Sequence, residues 1–447
     1  MKILVTGLAS LQWGRLEYGN NGNYYLIAPI FHHLHRVYPK AEIVTTFQLT
    51  DEFKKKAAVT SLPLSQYFSW RSDDEDLKEA LQEYAIAELY SKTGDIIYKT
   101  PFIETLLETD LLLSFNGDMW GDNRDSTGAN RFLVDLLKNS VAQKLGVPTV
   151  LFASSPGPIN DLEMRRIAKD IYSKFASVIN RESVSKEIFA SYGYDISNTY
   201  NRACPAWLFS KDMYPEVVKT EELKITENIP LNDDIVGIIV TTNSLPGGSF
   251  SDWERPDEDF MHLALLVEYA VNENNETIVL FSHSDGFKLE PSFHRVHWRD
   301  YKMVCQLYDV VEKRGLIDMS KVHKIDGIYP PWVIHDFIGC LKKLISGKMH
   351  GAVAGMEQFV PTLAIDFQNG PVAHKMQGMF AMVDMLEYIV PRGTTDVVSY
   401  YRKLCNNESV VRETLNVKIP EVQAIAENTF DILIDIMREA KFDERGL

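Results

Sequence analysis

A chain of 447 residues is too long for one ordinary hydrophobic core and predicts two domains of roughly 200 residues each. Its 45% hydrophobic and 24% charged content is that of an ordinary globular protein, and a formal charge of −16 excludes the basic footprint that non-specific nucleic-acid binding requires. No apolar run approaches the roughly 18–20 residues needed to span a bilayer, and ILVTGLA after Met1-Lys2 is too short for a secretory leader, so a cytoplasmic location is expected.

Along the chain, apolar runs alternate with longer amphipathic stretches, the pattern of parallel strands joined by helices. In the first half, strands are predicted at Lys2–Gly7, Glu42–Phe47, Asp110–Phe115, Thr149–Ser154 and Ser177–Ile179. Helices are predicted between them at Gly22–Val37, Asp74–Leu89, Gly128–Leu145, Asp161–Phe175 and Val184–Tyr192. The polar stretch 212–234, with two prolines and weak periodicity, reads as a linker. Beyond it, strands are predicted at Ile235–Thr241, Thr277–Ser282, Lys321–Lys324, Lys342–Ile345 and Thr362–Asp366. The accompanying helices are Asp257–Asn272, Arg299–Arg314, Pro331–Phe337 and Gly351–Phe359, and VQAIAENTFDILIDIMREAKF closes the chain with helical spacing and no strand after it. The fold class is therefore α/β, with two doubly wound, Rossmann-like domains (residues 1–215 and 234–447) facing each other across a cleft.

Four cysteines, Cys204, Cys305, Cys340 and Cys405, are far apart and form no C-x-x-C pair, so reduced, mostly packed thiols are expected. His32, His33 and His35 share a predicted helix without an acidic or thiol partner and imply no metal site. In an open α/β sheet the ligand lies beyond the carboxyl ends of the strands. That rule ranks eight loops: Leu8–Gly22, Asn116–Asp122, Ser154–Pro158, Arg181–Glu182, Thr242–Gly248, Ser282–Gly286, Ser346–His350 and Asp366–Lys375.

The most informative stretch is SGKMHGAVAGMEQFVPTLAIDFQNGPVAHKMQGMF, from Ser346 to Phe380. An imidazole (His350) and an ammonium (Lys348) stand where a strand gives way to a helix, and the first turn of a helix offers unpaired N–H groups and partial positive charge to an anion. The order of serine, basic residue, one apolar residue and His, then a helix to Pro361, a strand and a later Lys, resembles the C-terminal signature of the polysaccharide pyruvyl transferase family. GNNGNYYLIAPIFHHL near the N-terminus, DLLLSFNGDMWGD at 110–122, VPTVLFASSPGP at 147–158 and NRESVSKEIFASYGYD at 180–195 match in the expected order.

The resemblance implies the two-Rossmann-domain arrangement called GT-B, with an acceptor side in the N-terminal domain and a donor side in the C-terminal one. It also implies transfer of the pyruvyl unit of phosphoenolpyruvate to hydroxyls of a sugar in a cell-surface glycan or its precursor, with no further cofactor and no metal. Such chemistry needs cations and N–H groups at a carboxylate and a phosphate, and a general acid beside the donor's methylene carbon. By position, His350 is the general acid, and Lys348, Arg181, Lys375, Ser346 and Gly351 face the donor. Lys348 stands where the family usually has arginine, which matters because an ammonium cannot grip an anion bidentately. Arg181 would supply the planar cation, or else pair with Glu182 or Asp195 at the surface. Lys375 either approaches the donor or is a solvated loop lysine. Asp118 orients a sugar hydroxyl or His350, or caps its turn.

Acceptor contacts are expected from Asn21, Asn23, Asn116, Gly117, Trp120 and His283, with Trp13 and Trp120 either stacking on a sugar or packing in the core. The family commonly has Asn-x-Gly-Asp where this chain has Asn21-Gly22-Asn23, and a Gly-Gly loop where it has Asn116-Gly117-Asp118. Two rivals remain. A nucleotide-sugar glycosyltransferase shares the architecture, but Ala354 stands near the place where many retaining enzymes carry glutamate, and Glu357 falls a turn later. A non-catalytic anion-binding relative is kept open by Lys348 and Asn23. A dinucleotide dehydrogenase is disfavoured, since TGLASLQWG is not G-x-G-x-x-G, and no G-x-x-x-x-G-K-[ST] loop occurs.

Overall fold

The computed structural model describes residues 1–8, 15–68, 72–213, 225, 229, 234–246, 254–288, 294–367, 374–391, 393–394 and 396–443. Trp13 and nearly all of the expected linker lie outside these residues. The chain divides into two compact units: Met1–Trp13 with Ile30–Pro205 and Ala424–Leu447, and Gly14–Pro29 with Ala206–Gln423. Both divisions within helices fall near a proline. Pro29 interrupts Asn21–Val37, and Pro420 precedes the boundary at Gln423 in Glu408–Asp443.

The first unit is built on seven parallel strands: β1 (Lys2–Gly7), β2 (Glu42–Thr45), β3 (Val59–Ser61), β4 (Leu111–Phe115), β5 (Thr149–Ser154), β6 (Ser177–Asn180) and β7 (Thr199–Asn201). Their order is β3-β2-β1-β4-β5-β6-β7. The inner strands are buried along their whole length, as expected when helices cover both faces of a parallel sheet. The order reverses between β1 and β4, so the loops after those two strands open the crevice of this sheet.

The second unit repeats the design with β8 (Ile235–Ile239), β9 (Thr277–Phe281), β12 (Val322–Lys324), β13 (Lys343–Ser346), β14 (Thr362–Ile365) and β15 (Ile389–Val390), in the order β12-β9-β8-β13-β14-β15. An antiparallel pair, β10 (Gly286–Lys288) and β11 (His294–Val296), follows β9. Here the reversal lies between β8 and β13. Both units are doubly wound, Rossmann-like α/β layers, as the alternating pattern predicts.

Several elements depart from expectation. Strands β3, β7, β10, β11 and β15 are two or three residues long and carry too little periodicity to stand out. The helices Asp51–Ala57 and Pro101–Leu107 were also not anticipated, although Thr50 and Thr100 cap them through their hydroxyls and Pro101 sits at the first helical position, where its missing N–H costs nothing. All four cysteines are free; Cys204 is buried, whereas Cys340 is exposed. Among the described residues no helix is long and apolar enough to cross a membrane.

Candidate functional site

In the second unit, β13 leads through Gly347 and Lys348 into the helix Met349–Glu357, at the point where the strand order reverses. Ser346 fixes the turn: its hydroxyl accepts the Lys348 N–H (3.1 Å) and donates to the Lys348 carbonyl (2.8 Å). Buried and occupied in this way, Ser346 shapes the loop and does not offer its hydroxyl to a donor, which corrects the expectation. Gly351 is required for packing, because a Cβ there would stand 2.6 Å from Ile239 Cδ1 and 2.9 Å from Ser346 Oγ. His350, half-buried, lies in the first turn, and no side chain caps the helix at Lys348.

The segment Asn20–Asn23 backs this histidine. Asn20 accepts the Gly22 N–H through Oδ1 (3.0 Å) and opens the helix Asn21–Val37. A Cβ on Gly22 would fall 2.6 Å from His350 Cβ and 2.8 Å from its Nδ1, so the imidazole rests directly on bare backbone. Asn21 is buried, and its backbone N–H donates to the His283 carbonyl (3.1 Å). Asn23 is half-buried in the first helical turn, and Lys375 likewise in the first turn of His374–Ala381, with 368–373 outside the described residues.

His283 is not the accessible loop residue expected for acceptor contact. It is wholly buried, its ring 5.6 Å from Tyr25, and neither nitrogen has a hydrogen-bond partner among the described residues. Burial, then the charges of Lys348 and His335, push the imidazole down to about 3, so it stays neutral. The unfolded chain, with an ordinary histidine near 6.5, therefore binds a proton that the fold refuses, and stability falls as pH drops below 6.5. His283→Phe should reduce the loss of stability between pH 7 and pH 5 by about 2 kcal/mol, measured by urea denaturation at both pH values. An unchanged loss would mean that His283 titrates normally.

A second buried histidine steadies the site helix. His335 Nε2 lies 2.5 Å from Glu357 Oε1, tying Pro331–Gly339 to the end of Met349–Glu357. Burial works to lower the His335 imidazole, but Glu357 and Asp336 together outweigh it and hold it above its ordinary value. Burial raises the Glu357 carboxyl.

In the first unit the crevice loops hold a different set. Gly117 adopts φ +62, the left-handed region that favours glycine, and the Arg181 guanidinium lies 4.0 Å from where its Cβ would stand. Arg181 is buried, donates through Nε to Ser155 Oγ (2.8 Å), and forms no ion pair among the described residues. The surface salt bridge considered from sequence is absent there. Glu182 instead accepts the Val184 and Ser185 N–H groups, and Asp195 accepts that of Ser197. Burying a cation without a counter-ion costs on the order of several kcal/mol.

Asn116 and Trp120 are corrected. Asn116 is fully buried, its amide donating to Ser114 Oγ (2.8 Å) and its carbonyl accepting from Arg124, so its side chain is turned into the protein and is not exposed to a sugar. Arg124, which the sequence reading overlooked, also donates to the Gly7 carbonyl and faces Asp135, whose carboxylate accepts the Tyr67 hydroxyl (2.5 Å). Burial raises the Asp135 carboxyl against the pull of Arg124. Trp120 is enclosed by Phe132, Tyr172, Phe175 and Phe189 and is core, not a stacking face. Trp120→Ala should cost about 3–5 kcal/mol of stability, read as a lowered denaturant midpoint. Asp118 is half-buried in the loop after β4, its carbonyl accepting from Asn123 Nδ2 (3.4 Å). Asp118, Gly117 and Arg181 belong to the first unit; His350, Lys348, Lys375, Asn21 and Asn23 belong to the second.

Comparison with known proteins follows the same lines. The chain matches solved structures over nearly its full length at low identity. One is UDP-GlcNAc 2-epimerase from Neisseria meningitidis, with TM-score 0.58 and 11% identity, covering 98% of this chain and 100% of that one. A glycosyltransferase from Rickettsia africae gives TM-score 0.55 and 10% identity, covering 98% of each chain. Anabaena HepE in complex with UDP-glucose gives TM-score 0.50 and 14% identity, covering 100% of each. These likenesses show the GT-B type of fold. No curated protein gives a significant sequence match. The family model for polysaccharide pyruvyl transferase matches residues 20–369, from the Asn20 cap that backs His350 to the loop beyond β14. On that span, which holds Ser346, Lys348 and His350 in the family's order, the chain belongs to the polysaccharide pyruvyl transferase family.

Proposed function

We propose that this transferase moves the pyruvyl unit of phosphoenolpyruvate onto hydroxyls of a sugar in a cell-surface glycan or its precursor, with His350 as general acid. The observation that carries it is the placement of His350 in the uncapped first turn of Met349–Glu357, held against Gly22 and next to Lys348. The imidazolium gives its proton to the donor's methylene carbon, making the central carbon electrophilic. One sugar hydroxyl adds there, its proton passing to a base. Phosphate leaves with the electrons of its C–O bond, and a second hydroxyl closes the ketal as its own proton is lost. Lys348 and the helix N-terminus offset donor charge, and Lys375 is the further cation for the donor's other anionic group.

Lys348→Ala is expected to weaken donor binding by about tenfold and to slow turnover less, since it removes charge from ground state and transition state alike. A drop confined to turnover would contradict that role. The donor itself is tested by calorimetric titration with phosphoenolpyruvate beside UDP and GDP. Saturable binding of phosphoenolpyruvate alone is expected. Binding of a nucleoside diphosphate alone would move the protein to the nucleotide-sugar glycosyltransferases, and binding of neither would leave the non-catalytic reading.

A further inference from the structure

One helix of the second unit, Pro331–Gly339, grips both of the helices that meet at His350. To the site helix Met349–Glu357 it is tied by His335, whose Nε2 stands 2.5 Å from Glu357 Oε1, with both side chains buried. Just past the site helix, Gln358 Nε2 donates to the His335 carbonyl (2.8 Å) and to the Ala354 carbonyl (2.9 Å). A Cβ on Gly339 would collide with that Gln358 amide. The first turn of Pro331–Gly339 holds the other helix. Tyr25, three residues after Gly22 on Asn21–Val37, is buried and donates its hydroxyl to the Pro331 carbonyl (2.9 Å). The Tyr25 ring meets two imidazoles edge to face, His335 at 5.2 Å and His283 at 5.6 Å. Phe209 packs 4.8 Å from Tyr25 and 4.6 Å from His335. A Cβ on Gly351 would lie in ordinary contact, 3.5 Å, with His283 Cδ2. A row of rings, His283, Tyr25 and His335, therefore links the first turn of the site helix to its last residue, and every member belongs to the second unit.

The close approach of Gly22 to His350 is steric, and a steric contact places a side chain only as well as the two backbones behind it are held. Pro331–Gly339 supplies that hold, because it is bonded to the helix that carries His350 and to the helix that carries Gly22. Buried hydrogen bonds keep such a spacing well, since breaking one strands a polar group away from water. We propose that Tyr25, His335 and Glu357 are positioning residues for the general acid, acting through Pro331–Gly339 to set the spacing between Gly22 and the His350 imidazole. A catalytic group must be held within about 0.5 Å of its working place by neighbours that are themselves locked. The inference rests on His350 being the acid proposed above.

The test uses Tyr25→Phe, which removes one buried oxygen and keeps the ring, and Glu357→Gln, which keeps the shape and removes the charge. Turnover is read as phosphate release from phosphoenolpyruvate with methyl glycosides as acceptors. Each variant should lower turnover by about three- to tenfold, while phosphoenolpyruvate affinity, measured by calorimetry, stays within about twofold of the wild type. Added to His350→Ala, neither should cost anything further, because no imidazole is left to misplace. A merely structural residue would lower turnover by the same factor in both backgrounds. Nuclear magnetic resonance of the protein with isotope-labelled histidine gives a readout that needs no acceptor. The His350 ring signals, assigned by their loss in His350→Gln, should move in both variants, and those of His297, stacked on Tyr301, should not. An equal loss of turnover in the His350→Ala background, donor affinity falling in step with turnover, or unmoved His350 signals would overturn the proposal. If Glu357→Gln does not fold, Tyr25→Phe carries the test. If His350→Ala keeps full turnover, or no glycoside is accepted, the proposed chemistry falls and the ring signals alone decide whether the spacing is set in this way.

Discussion

Turnover of the His350→Ala protein is expected to fall by a factor of about 100 or more, the size typical of losing a general acid, while the melting temperature stays near that of the wild type. The side chain is half-buried and makes way for alanine without opening the core. On the proposed mechanism, what disappears is the proton given to the donor's methylene carbon before a hydroxyl adds. A 100-fold loss corresponds to about 2.7 kcal/mol of transition-state stabilisation. Donor affinity should change little, in contrast to Lys348→Ala, because the helix N-terminus and the cations remain. Phosphate release from phosphoenolpyruvate in the presence of a glycan acceptor measures the rate, and calorimetry the affinity. Near-full turnover would remove His350 from the mechanism.

Gly22→Ala should approach the same loss by a different route. Alanine is ordinarily the better helix residue by about 1 kcal/mol, so a change in the first turn of Asn21–Val37 would on propensity alone stabilise the protein. Here the added methyl would meet His350 Cβ at 2.6 Å and Nδ1 at 2.8 Å, closer than real contacts allow, and the imidazole must shift. A displacement of about 1 Å in a catalytic group can cost on the order of 100-fold in rate. The expected result is turnover lowered by about 10- to 100-fold with unfolding little changed. Wild-type turnover would mean that the histidine has room to relax and that its support by Gly22 is immaterial.

The principal strands were readable because a parallel sheet covered on both faces demands continuous apolar runs, and LLLSF or TIVLF can hardly be anything else. Strands at the sheet margins, such as VTS and TYN, bury too few side chains to leave a pattern. At the candidate site, the family resemblance singled out Lys348 and His350 by local spacing, and the structure sets both at one strand–helix junction. Asn116, Trp120 and His283 misled because Asn, Gly and Asp have the same composition in a turn whose side chains are spent on internal hydrogen bonds as in one that faces a ligand. Asp300, whose carboxylate lies 3.4 Å from Lys348 Nζ, drew no notice, because a lone aspartate at a helix start is ordinary capping chemistry by sequence alone.

The backing of His350 by Gly22 joins residues at opposite ends of the synthesis order. Most contacts within a parallel α/β layer already link distant segments, and such topologies fold slowly because loop closure precedes its reward. Here the second unit takes residues 14–29 from the start of the chain and everything from Ala206 onward from the rest. A nascent chain emerging from the ribosome must keep its early residues available until the strand carrying His350 has been made. A fragment beginning at Ala206 would carry Lys348 and His350 yet lack Asn20, Asn21 and Gly22, so it should form its sheet without a working anion site. Supplying residues 14–29 as a separate peptide is the way to ask whether the site can be restored in two pieces.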